Sequence, residues 1–408
     1  MVGAKKRGTT VTITLQRSIS KVRLGASSAA LTFVVVLGLG VVTTQSAQAQ
    51  TFTVLHNFTG SSDGGNPYAG MVRDTLGNFY STASGGGSSS NGVVFKLSKS
   101  GAETVLYNFT GGNDGGEPLA GLIRDTAGNF YGTTFGGGSS GNGVVFKLSK
   151  SGTERVLYSF AGGSSDGAHP WGSLIQDDQG NFYGTTVGGG SSNWGTVFKL
   201  SKTGRETVLH SFVGGSDGEF PYYTSLLMDK NGNLYGITSQ GGTSNSGVVF
   251  KLSRSGKLTV LHSFTGGTKD GCYPYGTPAL DTKGNLYGTT YKCGSSGQGI
   301  VWKVDAKSTE TVLHNFAGGS SDGAYPYAGV TMDAKGNFYG DTAYGGSSGD
   351  GTVYELNKKG KLTLLHSFTG ADGELPIAGL ARDAKGNFYS TAFEGGSGGY
   401  GTVWKLTP

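Results

Sequence analysis

From residue 52 to the end, the chain is a succession of short apolar runs separated by turn residues. The stretch 120–160 shows one full cycle. Residues 120–124 (AGLIR) are mostly apolar, and Asp125, Thr126, Ala127, Gly128 and Asn129 then carry turn chemistry: an Asp to accept backbone N–H groups and a Gly for positive φ. Residues 130–134 (FYGTT) form a second run, a loop of Gly, Ser and Asn follows, and 144–148 (VVFKL) form a third. Ser149, Lys150, Ser151 and Gly152 turn the chain into a fourth, 154–160 (ERVLYSF). Short runs rich in β-branched and aromatic residues and bounded by turns predict strands. No window of helical period competes with them.

The cycle occurs seven times, marked by Leu55, Leu106, Leu157, Leu209, Leu261, Leu313 and Leu365 at spacings of 51 or 52 residues. Such a period means one supersecondary unit copied round a ring or along a stack. Four strands in each of seven units predict an all-β, seven-bladed β-propeller with four antiparallel strands per blade. The series opens on a fourth strand (52–58) and ends on a third (401–406). An N-terminal strand that completes the last blade would remove the exposed edge of a linear array. An open β-solenoid is the runner-up; it needs capping repeats, and none is visible. Strand alternation puts the tight turns on one face. The loops between second and third strands, and between blades, lie on the other, which is the expected binding face.

The first 49 residues are of a different kind, with six basic residues and no acidic one. The apolar run 29–42 is 14 residues long, short of the roughly 20 that span a bilayer as a helix. Ala47-Gln48-Ala49 follows as a small-x-small cleavage pattern. Residues 1–49 therefore read as a secretory signal peptide and 50–408 as the mature propeller, with an uncleaved membrane anchor as the alternative. Removing the leader takes the chain from 32 basic and 27 acidic residues to 26 and 27. The high pI belongs to the leader, so nucleic acid is not an expected partner. The expected state is a monomer, secreted or periplasmic and off the membrane after cleavage. In an oxidising compartment Cys272 and Cys293, both in the fifth copy, are expected to form a disulfide. Glycine is abundant at 77 residues, yet the strict recurrence of aromatic and β-branched residues between the glycines argues against disorder.

The phrases Asp-Gly-x-x-Pro, Asp-x-x-Gly-Asn-[Phe/Leu]-Tyr-[Gly/Ser] and Gly-[Thr/Val/Ile]-Val-[Phe/Trp/Tyr]-[Lys/Glu]-[Leu/Val] run through all seven copies. In this the chain resembles the GloVer tandem-repeat proteins of bacteria. The hairpin between the first two strands is similar, more loosely, to that of NHL-type propellers, and the double glycine after the second strand to kelch. The resemblance implies a secreted or surface β-propeller of unsettled biochemical role. Members are described with varied C-terminal anchors, whereas this sequence stops two residues after Leu406, which puts covalent or membrane surface attachment in doubt.

Candidate chemistry is concentrated on the long-loop face. Asp63, Asp114, Asp166, Asp217, Asp270, Asp322 and Asp372 open the Asp-Gly-x-x-Pro loops. In the leading reading they fold Asx-turns. In the other they ring one face and hold calcium or a polyol. Calcium takes roughly six to eight oxygens, which one Asp per loop does not supply without backbone and water, so no cofactor is expected beyond that alternative. The turn Asp series from Asp74 to Asp383, on the opposite face, reads as structural. Around the loop Pro, blades three to six carry His169 and Trp171, Phe220 and Tyr222, Tyr273 and Tyr275, and Tyr325 and Tyr327. Blades seven, one and two lack this doubling. These eight residues form a candidate aromatic arc able to stack on sugar rings or clamp a peptide; the competing reading wedges them between blades. Arg73, Arg124 and Arg382 end the first strands of blades one, two and seven and are candidates for one side of the central channel; the competing reading is local pairing or solvent exposure. His56, His210, His262, His314 and His366, with Tyr107 and Tyr158 at the equivalent places, read as outer-strand packing, too dispersed for a metal cluster.

Catalytic signals are poor: there is no nucleophile elbow, phosphate loop or zinc motif. Asp341, where most copies have Thr, joins His169 and Glu394 as the polar oddities; with Asp166 and Asp322 they are the set from which a reacting centre could be built. The sequence thus favours a binding or scaffolding module over an enzyme, acting on an extracellular glycan, another extended polymer or a protein. The alternative is a lyase or lactonase of propeller type, with metal assistance.

Overall fold

The computed structural model describes residues 50–408; the leader expected at 1–49 lies outside the described residues. The described residues form a seven-bladed β-propeller, each blade containing a four-stranded antiparallel sheet. Blade 1 runs from the axis outwards as Val72–Arg73, Phe79–Ala83, Val93–Leu97 and Glu103–Asn108. Blade 7 runs as Ala381–Arg382, Phe388–Ala392, Thr402–Thr407 and Thr51–Asn57, so the first strand of the series is the outer strand of the last blade. It pairs antiparallel with its neighbour from Thr51 opposite Thr407 to Asn57 opposite Thr402. Among the described residues no helix is long and apolar enough to cross a membrane.

The seven repeat leucines have one job. In every blade the outer strand slips register against the third strand, and the residue left unpaired is the repeat Leu, as with Leu106 between Val105 (opposite Phe95) and Tyr107 (opposite Val94). A bulge bends and twists the strand, and the freed leucine turns into the seam with the next blade. The core accordingly consists of seven clusters, one per seam. Each contains the Phe that ends an outer strand, fully buried against a ring of the next blade's third strand, as with Phe58 and Phe95 at 5.2 Å between centroids. Edge-to-face pairs of this kind add about 0.5–1.5 kcal/mol beyond area burial.

The loop Pro makes the second seam contact. It lies on the Gly that opens the third strand of the preceding blade: a Cβ on Gly92 would stand 2.5 Å from Pro118 Cδ, and one on Gly401 would stand 2.7 Å from Pro67 Cδ. That close approach explains why the third-strand phrase begins with glycine, which here also has φ near +90°.

Blade 5 is the irregular one. Its inner strand runs unbroken from Gly271 to Leu280 and pairs with Leu286–Cys293, where blade 3 has two separate segments, Gly167–Pro170 and Ile175–Gln176. Cys272 and Cys293 are disulfide-bonded across this pair, with Cα atoms 5.4 Å apart. The enclosed loop is short, so the bond is worth at most about 3 kcal/mol. Reduction, or Cys272→Ser with Cys293→Ser, is expected to lower stability by about 1–3 kcal/mol without unfolding the ring. Chemical denaturation with and without reductant measures this, and a larger loss would mean that the bond holds more than one blade.

Candidate functional site

The loop Asp residues are spent locally. Asp166 accepts from the Ala161 amide (2.7 Å), the Gly167 amide (2.7 Å) and the Tyr158 hydroxyl (2.9 Å). Asp322 accepts from the Ala317 and Gly323 amides and faces His314 Nε2 at 3.2 Å. The same pattern holds at the other five, where the outer-strand His or Tyr reaches the carboxylate as His56 reaches Asp63 and Tyr107 reaches Asp114. His and Tyr therefore interchange at this place because either can donate to the same oxygen, a pairing that the packing interpretation of these residues missed. The signal was present in their recurrence six to eight residues before the loop Asp in every copy. Where Glu begins the next outer strand (Glu103, Glu154, Glu206, Glu310), burial and then the nearby Asp carboxylate raise its pKa to about 7.

The residue before the loop Pro is held in the left-handed region in all seven blades, from Phe220 at φ 52° to His169 at 58°. Its amide donates to the second-to-third-strand loop of the preceding blade, as from His169 to Asn142 O and from Tyr325 to Gln298 O. Left-handed backbone in a non-glycine residue is strained, and here the inter-blade bond offsets it. His169, Phe220, Tyr273 and Tyr325 thus occupy a clamping position that every blade fills, whatever the side chain.

The residues after Pro point to the axis. Five of the seven, Tyr68, Leu119, Trp171, Tyr327 and Ile377, line a central cavity of about 400 Å³ whose wall takes residues from all seven blades, none of them charged. Trp171 and Tyr327 line it, together with Tyr68 and Tyr223, which lie outside the arc of eight. Tyr275 stacks on Tyr327 at 5.3 Å, Tyr222 meets Trp171 edge-on at 5.3 Å, and Tyr291 touches Tyr275, Tyr325 and Tyr327. On the other side Phe135 packs between His169 and Trp171, and Phe393 meets Tyr68. All eight residues of the expected arc are half-buried. The rings form one network that is not confined to blades three to six: Tyr68 of blade 1, Phe135 of blade 2 and Phe393 of blade 7 belong to it.

Tyr223 is the centre of the network. It stacks on Tyr68 of blade 1 at 5.3 Å, and touches Trp171 of blade 3, Tyr275 of blade 5 and Tyr327 of blade 6. A side chain from blade 4 that meets both blade 1 and blade 6 must cross the axis. Burial, then the Tyr223 hydroxyl, push the Tyr68 phenol well above its usual range. The cause is an insertion: seven residues separate Pro221 from Met228, where six separate Pro67 from Arg73 and the equivalent pairs of the other blades. The extra residue is taken up by a tight turn, with the Tyr222 amide on Phe220 O at 2.7 Å, followed by Tyr223 at φ 56°.

The cavity wall is also asymmetric. Blades 1, 2, 6 and 7 present Ala-Gly (Ala69-Gly70, Ala120-Gly121, Ala328-Gly329, Ala378-Gly379), where blades 3, 4 and 5 present Ser173, Ser225 and Thr277 at the Gly place. Ser225 Oγ accepts the Ser173 amide at 2.9 Å and Thr277 Oγ1 accepts the Ser225 amide at 3.1 Å.

A model of the Gloeobacter/Verrucomicrobia repeat matches residues 35–230 and 221–408. The chain belongs to this repeat family. No curated protein matches it in sequence. Among solved structures, a variant of puromycin hydrolase complexed with PGG superposes with a TM-score of 0.55 at 12% identity, over 81% of this chain and 50% of that one. A protein assigned as a 6-phosphogluconolactonase from Bacteroides uniformis superposes with a TM-score of 0.51 at 15% identity, over 77% and 89%. The extracellular domain of a one-component system protein from B. thetaiotaomicron gives 0.51 at 11% identity, over 83% and 38%. These similarities establish the propeller fold and nothing finer.

Within the Gloeobacter/Verrucomicrobia repeat, two departures remain. Arg73, Arg124 and Arg382 stand exposed at the short-turn end, outside the cavity wall. Each guanidinium lies over the ring that starts its own second strand, 5.7 Å from Phe79, 6.0 Å from Phe130 and 5.5 Å from Phe388. Asp341 is fully buried in the seam between blades 6 and 7, where the backbone amides of Gly379 and of Asp341 itself face its carboxylate without forming a well-aligned hydrogen bond. Five of the other six blades place Thr there and blade 4 has Ile237; the hydroxyl donates to the next inner strand from Thr82 to Ala120 O (2.9 Å) and from Thr289 to Ala328 O (2.7 Å). Burial pushes the Asp341 carboxyl up to about 8. It sits far from His169 and Glu394 in role: His169 is a clamp residue bonded to Phe135 O, and Glu394 bridges backbone to Glu374.

Proposed function

We propose that the protein is a secreted binding propeller that recognises a neutral glycan, or an extended polymer of similar chemistry, through its long-loop face. The observation that supports this most is the network of half-buried rings around a cavity with no charged lining residue. Aromatic faces give large contact area at low entropic cost and pack well on the C–H faces of sugars. An uncharged wall favours an uncharged ligand, since an ion entering it would lose hydration without a partner. The Cys272–Cys293 bond fits an oxidising destination, in keeping with the leader. Neighbours named as a lactonase and a hydrolase keep an enzymatic reading in view. Against it, no three His, Cys, Asp or Glu side chains come together as a metal site among the described residues, and the loop Asp ring is engaged with its own backbone.

The test is a glycan array and a polysaccharide pull-down with the mature protein. Binding is expected, and Trp171→Ala with Tyr275→Ala is expected to weaken it at least about tenfold, since each ring carries stacking area. No binding, or binding that ignores both substitutions, would overturn the proposal.

A further inference from the structure

We propose that the axial cavity is a subsite for the uncharged end unit of a glycan and that Tyr223 is its gate. This rests on the glycan reading above and narrows it from a surface to one cavity on the axis. The cavity is walled all round by the inner strands of seven blades. A polymer lying across the face cannot enter such a space with its middle; a chain end can. Its volume, about 400 Å³, is at the small end of small-molecule sites.

The wall is built for a ligand that accepts hydrogen bonds. Ser225 and Thr277 each use their oxygen to accept a backbone amide, so their hydroxyl protons point to no partner among the described residues. Trp171 lines the same arc, and its Nε1–H is buried with no acceptor. The Trp171 donor is the buried one left unmade, at a cost of about 1–3 kcal/mol, and the half-buried Ser225 and Thr277 hydroxyls can donate to acceptors placed in the cavity. Sugar hydroxyls supply them, and the same ring offers a C–H face to Tyr68 and Tyr327. Blades 6, 7, 1 and 2 leave bare Ala-Gly backbone on the opposite side, which gives the ring room.

The gate follows from the insertion. Only blade 4 carries an extra residue after the loop Pro. That residue's neighbourhood holds a left-handed tyrosine on a three-residue turn, and its ring crosses the axis to stack on Tyr68. The other six blades build the propeller without this residue. Tyr223 is therefore not needed for the ring, and its side chain, part of the cavity wall and reaching across the axis to Tyr68, narrows the space a ligand must enter. Moving it breaks its ring contacts with Tyr68, Trp171, Tyr222, Tyr275 and Tyr327 and relieves a strained backbone, so opening is a discrete step that can limit the rate of entry.

The experiment measures association and dissociation of maltotriose, cellotriose and mannotriose by stopped-flow tryptophan fluorescence. It compares the wild type, Tyr223→Ala, and a deletion of Tyr223 that restores the six-residue spacing and serves if the alanine variant misfolds. The expected result is that one trisaccharide binds and that opening the gate raises both rate constants about tenfold or more, with a smaller change in Kd. Trp171→Phe, which keeps the ring and loses the N–H, is expected to weaken binding about fivefold. Unchanged rates in both gate variants, with wild-type binding intact, would overturn the gate and leave the glycan reading standing. Loss of binding on removal of Tyr223 would make it a platform and equally overturn the gate. No binding of any trisaccharide to any variant would overturn both.

Discussion

Replacing Asp341 by threonine is expected to stabilise the protein, and to do so more as the pH rises. The carboxyl has its pKa pushed up to about 8 by burial, from an unperturbed 3.8. Between those values the folded chain holds a proton that the unfolded chain releases, so stability falls as pH rises through the window. Below about pH 4 both states are protonated and the cost is absent; above about 8 it is paid in full as a buried carboxylate. Each unit of difference is worth about 1.4 kcal/mol, and relaxation around the charge will reduce the total, so we expect a gap of about 2–4 kcal/mol between variant and wild type at pH 9 and less than about 1 kcal/mol at pH 5. The variant hydroxyl has a ready acceptor, since threonines at this place in other blades bond the next inner strand. Glu103, Glu154, Glu206 and Glu310, raised to about 7, add a slope of the same sign, so Asp341→Thr flattens the profile without levelling it. The turn carboxylates pull the other way in acid. Asp74 and its equivalents lie below their usual range, held by the following amides and the Asn and Tyr side chains after burial is overcome, so their contribution is lost as pH falls below about 4. Denaturant titrations at pH 5, 7 and 9 decide the matter, and parallel curves for the two proteins would clear Asp341 of the effect.

Removing residues 50–57 is expected to cost the most. These residues supply the outer strand of blade 7, with Phe52 against Phe368, Trp404 and His366 and Leu55 in the seam to blade 1. Without them Thr402–Thr407 becomes an unpaired edge and two seam clusters lose members. Burial of two large apolar side chains alone is worth about 3–6 kcal/mol, and the open edge invites pairing between molecules. We expect loss of cooperative unfolding and formation of dimers or aggregates, seen by calorimetry and light scattering. A peptide with the sequence of residues 50–58, added in trans, should restore both. A truncated protein that stays monomeric and melts sharply would contradict the closure described above.

The periodic features were readable from the chain because seven copies average out the noise: strand count, turn Asp, loop Pro and closure all come from what the copies share. The repeat leucine was legible as a marker, yet its bulge was not, since register is a property of two strands and the period shows only one. The candidate site was less legible for a different reason. Sorting blades by the residues beside Pro separated blade 1 from blade 4, whereas the ring places Tyr68 against Tyr223 across the axis. The insertion that aims Tyr223 was countable in the sequence, but its direction depends on a left-handed backbone that no composition signals. Arg73, Arg124 and Arg382 were given to the channel on the strength of an inner strand. Their length carries the guanidinium groups back over Phe79, Phe130 and Phe388 instead.

The closing strand also sets an order in time. Six seams join blades that follow one another in the chain, and each can form as its residues appear. The seventh needs blade 7 completed first, by the pairing of Thr51–Asn57 with Thr402–Thr407, so an early segment is seated last, and the entropy of closing that long loop is spent before the contacts reward it. Until then the first strand is a loose end and the last blade an open edge, both marks of an unfinished molecule. A chain halted anywhere before its final strand keeps both, so the ring distinguishes complete copies from partial ones by whether they can shut.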